Sequence, residues 1–345
     1  MANILILGAG SMGAAFSFPC SDNNHNVKIV GTHLENDFID KINSTKKHPA
    51  LNCKLPENVK LLKLERLSQE INKDIDLIAI AVISKGIEWA SLELSKYLKK
   101  NIPILILTKG LSLHDNKYEV LAHKMSRLFK KNNINDINIS VAGGPCLAKG
   151  LASKVHTSVI FANKDISVVK QIAELVSTKY YHVFSSDDVV GVSVCAAVKN
   201  IFSMSIGASV GLCSPGASKE IKDKNYLNTA ASLIQESIEE MKIFTERLKG
   251  KKETVMGLAG IGDLYVSATG GRNSRMGEYL GNGITFKEAK KTKMQHDTVE
   301  GADLILEIGK KVKSDFNVKE LPLMNSMIDC IYDEKPLTIE WKYFK

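Results

Sequence analysis

Short apolar runs, each ended by a glycine or a polar residue, dominate the first half of the chain. Asn3–Leu7 (NILIL), Val27–Val30, Asp76–Val82, Ile102–Leu107 and Ile137–Ala142 each read as a buried strand. Between them, Ile87–Leu98 and Tyr118–Phe129 carry apolar positions at helical spacing. Strands alternating with helices predict a parallel sheet covered on both faces. The pattern changes near residues 185–190. Val189–Gly211 is an apolar stretch of small residues, and in 230–248 the residues Ala230, Leu233, Ile234, Ile238, Met241 and Leu248 recur as one face of an amphipathic helix. Strand-like runs become scarce after Phe184. The pattern therefore predicts an α/β domain at 1–187 followed by a mainly α-helical domain at 188–345.

Composition narrows the classes. With 345 residues, 44% hydrophobic and 24% charged, the chain has globular usage and room for two domains. No long apolar span is expected: the longest such stretch, Leu77–Ile83, is far short of a membrane helix, so no integral membrane segment is expected. The opening MANILILGAG lacks a basic leader and a cleavage site, and reads as a strand entering a glycine turn. The six cysteines form no C-x-x-C pair, which favours free thiols and a cytoplasmic setting. The eight histidines show no metal-ligand spacing, so no metal is expected. The net charge of +8 comes from dispersed lysines, the densest being Lys249, Lys251 and Lys252. That dispersion fits a solvated surface first, an anionic substrate second, and nucleic acid a distant third.

The first candidate chemistry lies directly after the first strand. Gly8-Ala9-Gly10-Ser11-Met12-Gly13 fits G-x-G-x-x-G, with a strand before it and a helix-forming run behind. The first glycine permits the turn, the second lets a pyrophosphate approach the backbone, and the third lets helix pack on strand. This is the dinucleotide-binding turn of a Rossmann-type domain. At the end of the second strand the chain reads Gly31-Thr32-His33-Leu34-Glu35. Glu35 stands later than the usual ribose-binding acid and no arginine is present, so NAD and NADP both remain open.

The second half carries three further features. Lys199 sits in the apolar run VCAAVKN, where it is either a snorkelling surface lysine or a desolvated amine able to exchange protons. Gly260-Ile261-Gly262-Asp263-Leu264 reads as a tight loop presenting a carboxylate. Gly270-Gly271-Arg272-Asn273-Ser274-Arg275 offers a guanidinium and an amide on a mobile backbone, suited to phosphate oxygens or equally to a plain turn.

Taken in order, these pieces resemble the NAD(P)-dependent glycerol-3-phosphate dehydrogenase family. The matching segments are GAGSMG at 8–13, HPALNCKLPENV at 48–59, TKG at 108–110, GGPCLAKG at 143–150 and CAAVKN at 195–200. They continue with GLAGIGDL at 257–264, GGRNSRMGEYLGNG at 270–283, VEG at 299–301 and ELPLMN at 320–325. The resemblance implies reversible reduction of dihydroxyacetone phosphate to sn-glycerol 3-phosphate, in glycerophospholipid metabolism, with NAD or NADP as cofactor. It implies Lys199 as general acid/base, with Asp263 orienting the amine and Lys109 polarising the reacting oxygen. The cofactor would meet Gly8, Gly10, Ser11, Met12, Gly13, His33, Lys109, Ala148, Arg272 and Glu300. The substrate would meet Lys109, Gly144, Cys146, Lys199, Asp263 and Ser267, with Arg272 and Asn273 on its phosphate. A homodimer is the assembly in view.

The chain also departs from the family. Cys146 replaces a serine, Ile83 a proline, and Glu236 an arginine, while Gly211-Leu212-Cys213-Ser214-Pro215-Gly216 and a lysine-rich insertion reaching Asn228 replace a G-L-G-x-G-D-N segment. These changes leave open the same chemistry on another small anionic polyol, a phosphate ester or a sulfonate. A non-catalytic dinucleotide sensor is a second alternative, against which Lys199, Asp263 and Arg272 all speak.

Overall fold

In the computed structural model, which describes residues 1–71, 73–99, 101–213 and 226–345, the apolar runs of the first half form the strands of one sheet. Among the described residues the chain's strands begin with β1 (Asn3–Leu7), β2 (Asn26–Val30), β3 (Lys47–His48), β4 (Cys53–Lys54), β5 (Val59–Leu62) and β6 (Leu77–Ile80), with β3 and β4 paired as a separate two-stranded sheet. They continue as β7 (Ile104–Ile106), β8 (Leu111–His114), β9 (Lys117–Val120), β10 (Ile139–Gly143), β11 (Thr157–Ala162) and β12 (Tyr181–Ser186). Between them run α1 (Ser11–Asp22), α2 (Asn36–Thr45), α3 (Leu67–Ile71), α4 (Ile87–Ser95), α5 (Leu121–Lys131), α6 (Ala148–Ala152) and α7 (Ile166–Val176). The long helix α8 (Val189–Leu212) follows.

The chain divides into two units, Met1–Lys109 with Val120–Ser193, and Gly110–Glu119 with Val194–Lys345. Among the described residues the first unit carries an eight-stranded sheet in the order β12-β11-β10-β7-β6-β1-β2-β5. Strand order reverses between β1 and β6, and in open α/β sheets ligands bind beyond the carboxyl ends of strands at such a switch point. The glycine turn leaves β1 there. Every residue of β6 and β7 is buried, as expected of strands covered on both faces. The expected parallel sheet is in fact mixed, because β10 and β11 run antiparallel with Ala142 opposite Phe161. The link between them holds only the five-residue α6, which turns the chain back instead of carrying it across the sheet.

Two short elements correct the sequence reading. Tyr118 is not the start of a helix but part of β9, and α5 begins at Leu121. Asp115 and Asn116 both adopt positive φ, 49° and 56°, which makes a two-residue hairpin turn between β8 and β9. Within the second unit Tyr118 then meets Phe244 edge-on, with ring centroids 5.3 Å apart.

The rest of the second unit is mainly helical. Its helices include Tyr226–Arg247, Asp263–Ala268, Arg272–Gly281, Phe286–Thr292, Glu300–Asp315 and Pro322–Ile331. The expectation of no long apolar span needs correction at α8, whose 24 residues are long and apolar enough to cross a membrane, with a mean hydropathy of 1.7 over its most apolar 18 residues. Small residues and serines break up its apolar run in the sequence and conceal its length. In this protein 89% of its apolar window is buried by packing. Most of the lysine-rich insertion, residues 214–225, lies outside the described residues.

Glycines decide how α8 packs on the helix Arg272–Gly281. A Cβ added to Gly277 would lie 1.9 Å from the Met204 carbonyl oxygen, and one on Gly207 2.2 Å from that of Ser274. Gly211 and Gly281, one turn further along each helix, are equally closed to a side chain. The two backbones therefore touch, which fixes Arg272 and Asn273 relative to Lys199 and Asn200. Gly277→Ala should separate the helices and destabilise the protein by about 3 kcal/mol, the upper part of the range for overpacked cores. Urea unfolding checks this. A loss below about 0.5 kcal/mol would mean that the crossing tolerates a methyl group.

Candidate active site

In the first unit the glycine turn has the form a dinucleotide requires. Gly8 adopts φ +114°, and its amide donates to the Val30 carbonyl at 2.8 Å, tying the turn to β2. A Cβ on Gly13 would fall 2.2 Å from the Gly8 oxygen and 3.0 Å from the Ala81 Cβ, so this glycine is needed for helix–strand packing. A Cβ on Gly10 would meet nothing within 4 Å. That open side is where a pyrophosphate can come close to the backbone. Gly10 precedes α1, whose start has no side-chain cap, so Ser11 and Met12 present main-chain amides at a helix N-terminus. The residues present fit a dinucleotide.

The acid at the end of β2 is used in an unexpected way. Glu35 folds back, and its Oε2 accepts hydrogen bonds from the amides of Ala9 at 3.2 Å and Thr32 at 2.7 Å. His48, fully buried, contacts the Ala9 carbonyl through Nε2 at 3.2 Å, while its Nδ1 accepts from the Leu51 amide at 3.2 Å. Burial lowers the pKa of this imidazole, opposed by its bond to Ala9 and by the charge of Glu35. His33 is exposed, with its ring 5.2 Å from that of Trp89. Further along the unit, Lys109 Nζ donates to the Gly144 carbonyl at 3.1 Å, bringing two predicted residues together. Gly144 has φ +101°, Cys146 is half-buried, and Ala148 opens α6.

In the second unit the predicted catalytic residues meet. Lys199, at 7% exposure, does not snorkel to the surface. Its Nζ donates to Asp263 Oδ1 at 2.6 Å and to Ser267 Oγ at 2.5 Å. The segment expected to be a tight glycine loop is instead a π-helical turn, Leu258–Gly262, running into the helix Asp263–Ala268. Gly260 permits this, since a Cβ there would fall 2.0 Å from the Val255 oxygen. Asp263 and Ser267, one turn apart, thus share a face toward Lys199. The 270–275 loop is likewise helical from Arg272 onward, with Gly270 at φ +140° just before it.

Arg272 pairs with Glu300 through Nη2 and Oε1. The amide of Asn273 is more heavily engaged than expected of a substrate ligand. Its Nδ2 donates to Asn200 Oδ1 at 3.1 Å and to Glu300 Oε2 at 3.4 Å, and its Oδ1 accepts from the Gly301 amide at 2.9 Å. Sequence reasoning gave no role to Asn200 or His48 and weighed Glu35 only as a ribose-binding acid, not as a partner of Ala9. Asn200 directly follows Lys199 and could have been found there, but nothing local marks the other two as neighbours of Ala9. Glu236, one of the departures, is buried and accepts the Lys345 amide at 2.8 Å, with its pKa raised by burial.

Sequence profiles of NAD-dependent glycerol-3-phosphate dehydrogenase match this chain at both ends, the N-terminus over residues 3–169 and the C-terminus over 188–341. The chain is 30% identical to the glycerol-3-phosphate dehydrogenase [NAD(P)+] of Francisella tularensis subsp. novicida, covering 96% of this chain and 93% of that one. The chain belongs to the NAD(P)-dependent glycerol-3-phosphate dehydrogenase family. Another relative, the NADP(+)-dependent glycerol-3-phosphate dehydrogenase of Archaeoglobus fulgidus, is 30% identical over 83% of this chain and 82% of its own. Among solved structures, glycerol-3-phosphate dehydrogenase from Coxiella burnetii superposes with a TM-score of 0.80 at 25% identity, covering 97% of this chain and 96% of that one. The protein is thus an oxidoreductase of the glycerol-3-phosphate dehydrogenase type, working with an NAD(P)-type dinucleotide.

The glycine turn makes a paired prediction for this dehydrogenase. Gly10→Val should leave the fold and its melting temperature nearly intact and abolish NADH and NADPH binding in calorimetric titration. Gly13→Val should instead destabilise the protein outright, because its side chain meets backbone. Normal nucleotide affinity in Gly10→Val would remove the cofactor from this turn.

Proposed function

We propose that the enzyme catalyses the reversible NAD(P)H-dependent reduction of dihydroxyacetone phosphate to sn-glycerol 3-phosphate. The observation that carries this reading is the buried Lys199 amine held by Asp263 and Ser267. A buried ammonium is costly unless paired and hydrogen-bonded, and such a pair set into an apolar stretch of an enzyme's interior points to proton transfer. When bound, the nicotinamide supplies or takes up the hydride.

In this reading Lys199 gives a proton to the substrate oxygen as its negative charge develops, and takes it back in the reverse direction. Asp263 and Ser267 set the direction of the amine. Lys109 polarises the reacting oxygen. Arg272 recognises the phosphate through its planar fork, already oriented by Glu300. Asn273 acts through its main-chain amide near the helix start, while its side chain ties together Asn200, Glu300 and Gly301.

Purified enzyme with dihydroxyacetone phosphate and either NADH or NADPH should oxidise the nucleotide and release sn-glycerol 3-phosphate. Unphosphorylated dihydroxyacetone should fall by at least about a hundredfold in kcat/KM, since remote binding energy orients the reacting carbon. Arg272→Ala should raise KM for the phosphate ester about tenfold or more, and Arg272→Lys should recover only part of the loss. Turnover of a sulfonate or another phosphate ester in preference to dihydroxyacetone phosphate would overturn the substrate assignment. Unchanged kinetics in both Arg272 variants would overturn the phosphate role.

A further inference from the structure

His48 takes no part in the chemistry outlined above, yet it is buried directly against the nucleotide turn. Its ring is fully enclosed and packs edge-on to Phe38, with centroids 5.2 Å apart. The Leu51 amide donates to Nδ1, so Nδ1 carries no proton, and the neutral ring must carry its proton on Nε2. Nε2 therefore donates to the Ala9 carbonyl. On the other side of the same residue, Glu35 accepts the Ala9 amide. Both polar groups of Ala9 are held, and its side chain is buried at 1% exposure.

The consequence follows from peptide geometry. A trans peptide is planar, so its C=O and the next N–H point in opposite directions. Fixing the Ala9 carbonyl onto His48 aims the Gly10 amide the other way, and with it sets the peptide that enters α1. Gly8 and Gly10 flank this unit, and without side chains they would let it rotate at little steric cost. A turn free to rotate would have to be ordered when the nucleotide binds, which weakens binding.

We propose that His48 is a positioning residue for the dinucleotide, holding the Ala9–Gly10 peptide, with Glu35 as its counterpart on the Ala9 amide, in the orientation that receives the pyrophosphate. The proposal rests on the dinucleotide being bound at residues 8–13.

The test is calorimetric titration of the full-length protein with NADH and NADPH, together with initial rates against each substrate. His48→Ala should raise the dissociation constant and KM for the nucleotide by about tenfold or more, through loss of the bond and of the ordered turn. KM for dihydroxyacetone phosphate and kcat at saturating nucleotide should stay within about twofold. His48→Gln, whose amide N–H can reach the Ala9 carbonyl, should recover most of the affinity. If His48→Ala unfolds, His48→Phe takes its place, keeping the ring's bulk without a donor. Wild-type nucleotide affinity in the donor-less variant, or no recovery in His48→Gln, would overturn the proposal. If the wild-type protein bound neither nucleotide, the cofactor reading itself would fail and take the proposal with it.

Discussion

A lysine amine placed inside an apolar helix is the constraint around which the second unit is arranged. Lys199 stands among Val194, Cys195, Ala196, Ala197 and Val198, all buried. Taking its charge out of water is tolerable only with a partner and well-made hydrogen bonds. Asp263 and Ser267 meet that need from one face of a short helix, and the π-helical turn before it delivers Asp263 to the required place. Breaking such a pair by removing one partner leaves an uncompensated buried charge. Stability and the proposed chemistry therefore rest on the same atoms.

Around this pair, glycines set the distances. The contact of α8 with the helix Arg272–Gly281 is backbone to backbone, so no side chain can buffer small errors in position. Asn273 then bridges from its helix to Asn200 and to the start of Glu300–Asp315. In the first unit the same economy of space appears at Gly13, while Gly10 keeps one face of the turn open. Two glycines in one short motif thus do opposite things. One closes a packing contact, and the other preserves an approach for a ligand.

How much of this could be read from residues alone depended on the range of the interaction. The strand, glycine turn and helix at 3–22 are local, with period and motif agreeing, and they are legible. The helix over 226–247 is legible through its apolar stripe. The hairpin at 111–120 is hidden in the sequence because its strands are four residues long and its turn has no glycine, so the helical spacing of Leu121–Phe129 extends in the pattern back to Tyr118. At 258–275 the density of glycine argues for loops, whereas Gly260 serves close packing within a helical turn and Gly270, at positive φ, only precedes the next helix. The pairing of Lys199 with Asp263 was reached through family resemblance, since 64 residues separate them and no periodicity links them. Glu35 and His48 are invisible as a pair because they stand 26 and 39 residues from Ala9, with no periodicity or motif linking them to it.

The role of Lys199 as proton donor and acceptor underlies the whole proposed reaction. It is tested most directly by the single-turnover rate of Lys199→Met with saturating NADH and dihydroxyacetone phosphate, alongside its affinity for NADH. Methionine keeps much of the side-chain volume and removes the amine. The rate should fall at least about a hundredfold, within the usual contribution of a positioned acid/base, with NADH affinity nearly unchanged. A rate close to wild type would contradict this role and leave Lys199 a structural residue.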